Sequence, residues 1–441
     1  MNDSEPHVVI IGAGFCGLAA AFELVTQGIR VTVLEQDRDV GGLAGSFDVA
    51  GVQLEKFYHH WFTNDVHIMQ LIDELRLHDR LLLRPTRTGV YYANNFFNLS
   101  TPLDLMRFKP LSILNRIRLG LLALRARRVS RWQELESLTA AQWLKSLGGD
   151  EVYRVVWQPL LQGKFGTAAE DISAVWFWNK LKLRGGSRGK GGEEQLAYFQ
   201  GGFSALAMRM VDFIEKHGGT VRTHTPAKRI QMENGNVCGV VIDGETVNAD
   251  AVIATPALPI IADLIKFCVS EDYLQSLKRI RYLANICMVL ELDRRLSETY
   301  WLNVNDPNFP FVGIIEHTNF EPRTTYGGKN IVYLSKYLPE DNRLFRMSAE
   351  EFFNYAVPYL QRMFPNFTQS WVLQYHLWRA RYSQPVVERH YSRLVPDRCS
   401  PLPGLYLATM AQIYPEDRGT NYAVREGRRT AEVVVKALKS A

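Results

Sequence analysis

The sequence predicts an α/β fold of the Rossmann type. Three features near its start predict it: a Gly-x-Gly-x-x-Gly turn between an apolar strand and a small-residue helix, a carboxylate closing the next strand, and a second glycine pair just beyond. Val8-Val9-Ile10-Ile11 is the branched, wholly apolar run of a parallel strand buried on both faces. Gly12, Gly14 and Gly17 follow it, and Phe15-Cys16, then Leu18-Ala19-Ala20-Ala21, open a helix that runs to about Gln27-Gly28. Gly12 permits the tight turn, Gly14 lets the backbone approach a pyrophosphate, and Gly17 lets helix and strand close-pack. The helix N-terminus adds unpaired N–H groups and the positive end of a dipole, so a phosphate belongs there.

The second strand, Arg30-Val31-Thr32-Val33-Leu34, ends in Glu35, where the pattern needs a carboxylate on a ribose hydroxyl. Gln36 and Asp37 follow, with no arginine for a 2′-phosphate, so FAD or NAD qualifies and NADP does not. Gly41-Gly42, followed by Leu43, offers a second close approach of backbone to a diphosphate, and is equally the signal of an ordinary turn.

Composition bounds the rest. At 441 residues the chain holds two or three domain-sized units, and 46% hydrophobic and 11% aromatic content excludes disorder. The opening Met1-Asn2-Asp3-Ser4-Glu5 is acidic and has no basic region, so no signal peptide is expected. No charge-free apolar run reaches bilayer length, and the long uncharged stretch 399–415 is broken by prolines. Cys16, Cys238, Cys268, Cys287 and Cys399 are odd in number and lack C-x-x-C spacing, which suits reduced cytoplasmic thiols and no metal site. The net charge of +5 is mild, with no nucleic-acid signature, and nothing in the pattern specifies an oligomeric state.

His59 and His60 lie among Phe57, Tyr58, Trp61 and Phe62, polar groups in a stacking environment, and Thr63-Asn64-Asp65 reads as a helix cap. Residues 107–131 carry eight basic residues and no acid. Within them Ile113, Ile117, Leu121 and Leu124, with Leu114 alongside, recur at helical spacing among Arg116, Arg118, Arg125, Arg127 and Arg128. Such a helix of about 18 residues would be about 27 Å long. It suits an anionic membrane surface, and equally a solvated face over a core stripe.

A short capped helix at 138–148, an apolar and aromatic stretch at 153–165, and Trp176-Phe177-Trp178, which reads as plain core packing or as an extension of that lining, come next. Lys180, Lys182, Arg184, Arg188 and Lys190, interleaved with glycines to Gly192, read as a surface loop or a basic lid; the spacing excludes a Walker loop. A helix from Gly201-Gly202 to about His217 leads to a meander turning at Asn234-Gly235 and Asp243-Gly244 and to a strand at Ala251-Val252-Ile253-Ala254. Strands are expected at 286–290 and 330–334, and a last strand at 404–410 feeds a helix near 420.

The Gly-x-Gly-x-x-Gly turn, Glu35 and Gly41-Gly42 together resemble the flavin amine oxidase superfamily, which includes protoporphyrinogen oxidases, phytoene-type desaturases and UDP-galactopyranose mutases. Leu43 stands where many of its oxidases carry arginine, as in some desaturases and mutases. His60 matches a mutase histidine that lies against the isoalloxazine and precedes Phe-His-Thr; here Trp61-Phe62-Thr63 lacks the second histidine.

The resemblance implies a GR2-like flavoprotein fold: a Rossmann-type FAD-binding domain from residues 1–85, 200–268 and 399–441, and an inserted α+β substrate domain from 86–199 and 269–398. It implies non-covalent FAD held by Gly12, Gly14, Phe15, Cys16, Gly17, Glu35, Gln36, Gly41, Gly42, Leu43, Ala227 and Thr255. Thr409, Arg418, Thr420, Asn421 and Tyr422 complete that set, with Thr409-Met410 standing where the family has Gly-Asp. His60 and His59 are the catalytic candidates. The implied activity is an oxidoreductase taking a hydride from an apolar small molecule to flavin N5, with a nucleotide-sugar mutase as the alternative. Its implied setting is cytoplasmic, and peripheral on the inner membrane face.

Overall fold

The computed structural model describes residues 5–98, 102–187, 194–306 and 308–440. Five parallel strands form one sheet in the order Thr220–Arg222, β2 (Arg30–Leu34), β1 (His7–Ile11), Ala251–Ala254, Leu405–Leu407. β1 is central: Val8 pairs with Val31 on one side and with Ala251 on the other. All five of its residues are buried, because both faces of the sheet are covered. Val8 and Ile10 join the core of α1 (Phe15–Thr26) and the helices Gly202–Lys216 and Thr420–Ser440. Val9 and Ile11 join Ile230, Val237 and Val240 of the meander and Leu258 and Ile261 of a following helix. The meander has the expected turns, with Asn234, Gly235 and Gly244 at positive φ.

Two glycines set the packing of α1. A Cβ on Gly17 would lie 1.9 Å from the Gly12 carbonyl oxygen, so only hydrogen fits where the helix leaves the turn. A Cβ on Gly427 would lie 2.1 Å from the Cys16 carbonyl oxygen, so Thr420–Ser440 crosses α1 backbone to backbone.

The second large sheet has seven strands, in the order Val372–Pro385, Tyr282–Leu292, Asn330–Leu338, Gly313–Glu316, Trp301–Val304, Thr88–Tyr92, Asn95–Asn98. The expected strands at 286–290 and 330–334 are segments of its second and third members, and the helix Ala349–Met363 packs its Phe352, Ala356 and Leu360 into the core on one face. A helical layer of Ile113–Arg127, Ala140–Gly148 and Ala174–Gly186 completes this half.

Three local expectations change and one pair of readings is decided. The basic helix is shorter than 18 residues: it occupies Ile113–Arg127, about 22 Å, because Ser112 is extended. Of the two readings of Trp176, Phe177 and Trp178 the packed core holds, and the Trp178 indole N–H donates to Ala126 O at 3.0 Å. Lys180, Lys182, Arg184, Gly185 and Gly186 belong to the helix Ala174–Gly186 rather than to a loop, while Arg188, Gly189, Lys190, Gly191 and Gly192 lie outside the described residues. Asp65 gives no side-chain cap to the helix Val66–Glu74; its carboxylate accepts from Phe62 N at 2.9 Å.

Gly427→Ala is expected to force the two helices apart and to destabilise the protein by about 1–3 kcal/mol, the usual range for overpacking. Thermal denaturation beside Gly419→Ala, where a Cβ meets nothing, measures it; equal melting temperatures would count against this packing.

Candidate functional site

The turn after β1 is a bare cradle. Gly12 takes φ +101, and a Cβ there would lie 2.5 Å from Thr255 Oγ1. The Thr255 hydroxyl donates to Ile11 O at 2.8 Å and ties the loop after Ala251–Ala254 to the turn. Gly14 is the N-cap of α1, whose first turn has no side-chain cap and no acid. Gly41 N donates to Ala13 O at 2.8 Å, and a Cβ on Gly42 would lie 3.2 Å from Gly14 Cα. Two chain segments thus meet over the positive end of a helix with no side chain between them, which fits a diphosphate. Glu35 is buried beside them, accepting from Ala13 N at 2.7 Å and Asp37 N at 2.9 Å. Burial raises its pKa while those N–H groups oppose the rise, and each oxygen keeps a lone pair for a ribose hydroxyl. A dinucleotide fits the residues present.

Beyond the cradle, the strand Val52–Glu55 delivers residues 57–62. Glu55 fixes that delivery by accepting from Tyr198 Oη at 2.7 Å and Phe203 N at 2.6 Å, while its main-chain carbonyl accepts from Tyr333 Oη at 2.8 Å. Burial pushes the Glu55 carboxyl up to about 7. His60 Nδ1 lies 3.0 Å from Tyr300 Oη, with its ring edge-on to Trp301 and Phe62 at 5.5 and 5.8 Å. His59 Nδ1 lies 2.6 Å from Phe57 O; a carbonyl only accepts, so Nδ1 carries the hydrogen. Burial lowers the His59 pKa to about 4, which leaves Nε2 an open acceptor at neutral pH. Tyr58 sits edge-on to Trp301 at 4.9 Å and to Tyr333 at 6.2 Å.

A charged group adjoins these rings. Asp417, buried, binds Lys180 Nζ at 2.5 Å, the Trp176 indole N–H at 2.9 Å and the Gln384 amide at 3.2 Å. Burial alone would raise its pKa, but Lys180, Lys164 and Arg418 hold it below the usual carboxylate range. Arg418 donates from Nη2 to Tyr337 Oη at 2.8 Å, and its Nε is buried with no partner. The Lys164 ammonium lies 4.6 Å from the Trp176 ring centre and 5.2 Å from that of Tyr337.

The structure therefore brings together Gly12, Gly14, Gly17, Glu35, Gly41, Gly42 and Thr255. Phe15 is buried against Phe203, and Cys16 Sγ donates to Ala408 O at 3.1 Å, with burial pushing the thiol up. Thr409 is buried next to that carbonyl, its N–H donating to Gln412 Oε1 at 2.8 Å. Gln36 is exposed; Leu43 and Ala227 are half-buried. The side chains of Thr420 and Asn421 are engaged within the chain. Thr420 Oγ1 accepts the Trp61 indole N–H at 2.7 Å, and Asn421 Oδ1 accepts His67 N and Ile68 N at 2.9 and 3.1 Å, capping the helix that Asp65 does not. The Tyr422 ring lies under the Arg425 guanidinium at 4.8 Å. Tyr300, Tyr337 and Lys164 carried no distinguishing signal in the sequence, and Asp417 only its place in the charged string Glu416-Asp417-Arg418 after an uncharged stretch.

Comparison with known proteins agrees with this geometry. The model of the family described as flavin containing amine oxidoreductase matches residues 15–435. Coproporphyrinogen III oxidase of Bacillus subtilis (strain 168) is 25% identical over 285 residues, 58% of this chain and 60% of that protein. All-trans-zeta-carotene desaturase of Myxococcus xanthus is 26% identical over 310 residues, 58% of this chain and 53% of that protein. The chain thus matches between about half and 60% of the length of these curated relatives. The crystal structure of reduced UDP-galactopyranose mutase superposes with a TM-score of 0.75 at 14% identity, covering 98% of this chain and 96% of the other, which establishes a common fold.

Two glycine variants separate ligand from scaffold. A Cβ on Gly14 makes only ordinary contact at 3.9 Å, so Gly14→Ala should melt like the wild type once both are stripped of ligand, yet retain less dinucleotide on purification. Gly17→Ala should lose stability itself, by about 1–3 kcal/mol. Absorbance ratios and calorimetry of the two purified variants check both outcomes.

Proposed function

Because this chain belongs to the family of flavin containing amine oxidoreductases, and is an FAD-dependent oxidoreductase, we propose that it oxidises an apolar, isoprenoid or polycyclic, small molecule by hydride transfer to flavin N5. Bound FAD supplies the two-electron acceptor; the chain supplies the site. On this reading the discontinuous FAD-binding domain of residues 1–85, 200–268 and 399–441 holds the cofactor. The main chain of Gly12, Gly14, Phe15, Cys16 and Gly17 and the loop Gly41, Gly42 and Leu43 hold the diphosphate, Glu35 and Gln36 the adenosine ribose, and the backbone of Ala227 the adenine. Thr255, Thr409, Arg418 and the main chain of Thr420, Asn421 and Tyr422 border the flavin. The substrate domain of residues 86–199 and 269–398 covers it.

One observation carries the choice of an apolar substrate. His60 is walled by Phe62, Tyr300 and Trp301, with Tyr58 edge-on to the same tryptophan, so a molecule reaching it meets aromatic faces rather than donors for sugar hydroxyls. Tyr300 Oη orients the His60 ring, and neutral His59 offers an acceptor nitrogen beside it. The mutase reading stays as a second one, favoured by the cations Lys164 and Arg418 nearby.

Delivery from a membrane is the companion proposal. The helix Ile113–Arg127 packs Asn115, Leu119, Leu122 and Ala126 inward and leaves Ile113, Leu114, Ile117, Leu121 and Leu124 between 43% and 65% exposed. Arg125 and Arg128 stand exposed next to that stripe, an apolar ridge with basic flanks that suits an anionic bilayer surface on the cytoplasmic face. Arg116 is otherwise occupied, donating to Leu111 O at 2.8 Å and Met106 O at 2.6 Å. No helix among the described residues is long and apolar enough to cross a membrane.

The oxidised holoprotein should be bleached without oxygen by a lipid or tetrapyrrole donor, and His60→Ala should bleach at least about a hundredfold more slowly while retaining FAD, the low end of the range for a positioned proton-transfer group. Efficient interconversion of UDP-galactopyranose and UDP-galactofuranose by the reduced protein would replace this reading with the mutase one. Ile117→Ser combined with Leu121→Ser should abolish flotation with anionic liposomes at low salt without loss of flavin; unchanged flotation would remove the helix from membrane contact.

A further inference from the structure

We propose that Lys164, Arg418 and Tyr337 form a binding site for an anionic group of the substrate, so that the molecule oxidised is amphipathic, with an apolar body and a phosphate or carboxylate head. The inference rests on the reading of the chain as a flavin-dependent oxidoreductase of an apolar substrate and names the part of that substrate it leaves open.

Charge accounting leads there. Lys180 is ion-paired with Asp417 at 2.5 Å, and Asp65 adds a second acid whose carboxyl feels Lys180. Lys164 and Arg418 are left over: among the described residues neither makes an ion pair, and no carbonyl or carboxylate oxygen is hydrogen-bonded to either. Both cations converge on Tyr337, Lys164 over its ring at 5.2 Å and Arg418 donating to its hydroxyl at 2.8 Å. Aromatic faces repay only part of the cost of burying an ammonium, and the buried, unpartnered Arg418 Nε is a donor aimed at nothing in the chain. Two cations with spare donors, sharing one carboxylate with a third, accommodate an anion from outside.

Position supports the assignment. Tyr337 lies close enough to Tyr58 to act on its hydroxyl electrostatically, and Tyr58 directly precedes His59 and His60 in the chain. An anion held there would anchor one end of a molecule whose apolar body lies along Trp301, Tyr300 and Phe62. Lys164 further makes the site sensitive to pH. Burial, with Lys180 and Arg418 close by, lowers its pKa to about 7 against the pull of Asp417; the Tyr337 ring and, next to it, Tyr58 face the same space. The ammonium is present below that value and lost above it, so anion affinity falls as pH rises through about 7 and binding takes up a proton.

Isothermal titration of the FAD-loaded protein with inorganic pyrophosphate, and separately with hexanoate, tests this. One of the two should bind at pH 6, which distinguishes a phosphate from a carboxylate head, and its affinity should fall about tenfold or more at pH 8.5. Lys164→Met should weaken binding by at least as much with its flavin content unchanged, and Lys164→Arg should retain binding and lose the pH dependence, because arginine does not titrate in that range. Wild-type protein that binds neither anion, or a Lys164→Met variant that binds as tightly, would overturn the proposal. Failure with flavin still bound and bleachable removes this site alone, whereas protein without flavin removes the reading beneath it.

Discussion

Three stretches of backbone meet at the N-terminal end of α1, and the rest of the molecule is arranged so that they can. The Gly12 carbonyl fills the space a side chain on Gly17 would need, the Cys16 carbonyl fills the space a side chain on Gly427 would need, and Gly42 lies against Gly14. A helix end approached on three sides by bare main chain presents N–H groups to a ligand and keeps side chains out of the way. The approach of Gly427 requires the chain to come back after more than 400 residues, in keeping with a parallel sheet assembled from widely separated strands. A second sheet and a helical layer can be inserted between its strands without disturbing it, since each insertion leaves and re-enters at a strand end.

Buried polar side chains join the two halves alongside the apolar core that they share. Glu55 alone ties the strand before the histidines to Tyr198, to the first turn of Gly202–Lys216 and, through its carbonyl, to Tyr333 of the large sheet. Asp417 ties the last segment to Trp176 and Lys180 of Ala174–Gly186 and to Gln384 of the longest strand. Each carboxylate costs free energy to bury, and each offsets that cost with several donors drawn from different parts of the chain. Such junctions hold a geometry tightly, because shifting any one element leaves a buried oxygen short of a donor.

What could be read in the sequence was what adjacent residues decide. The turn, the acid at 35 and the meander with its Asn-Gly and Asp-Gly turns follow from local backbone chemistry, and the structure has all of them. Pairings between distant residues left no such mark. Nothing near residue 66 says that its helix will be capped by Asn421 rather than Asp65, nor near residue 176 that an indole will reach Asp417. Gly427 reads as a mild helix weakness until α1 is seen against it. The basic helix shows a subtler case. Its sequence carries two apolar faces, Leu119, Leu122 and Ala126 on one and Ile113, Ile117, Leu121 and Leu124 on the other, and periodicity cannot say which turns inward; the smaller one does, against Trp178 and Gly148.

The return of the last helix to α1 has a consequence for how the protein is made. While the chain is being synthesised, β1, α1 and β2 emerge first, yet the strand Leu405–Leu407 and the helix Thr420–Ser440 that complete their sheet and cover α1 emerge last. Until then the apolar side of α1 has only part of its cover, and Asn421 has not capped the helix that follows the histidines. Assembly of the cofactor cradle therefore waits for the strand Leu405–Leu407 and the helix Thr420–Ser440, and until they arrive the apolar side of α1 is the kind of surface through which partly folded chains aggregate.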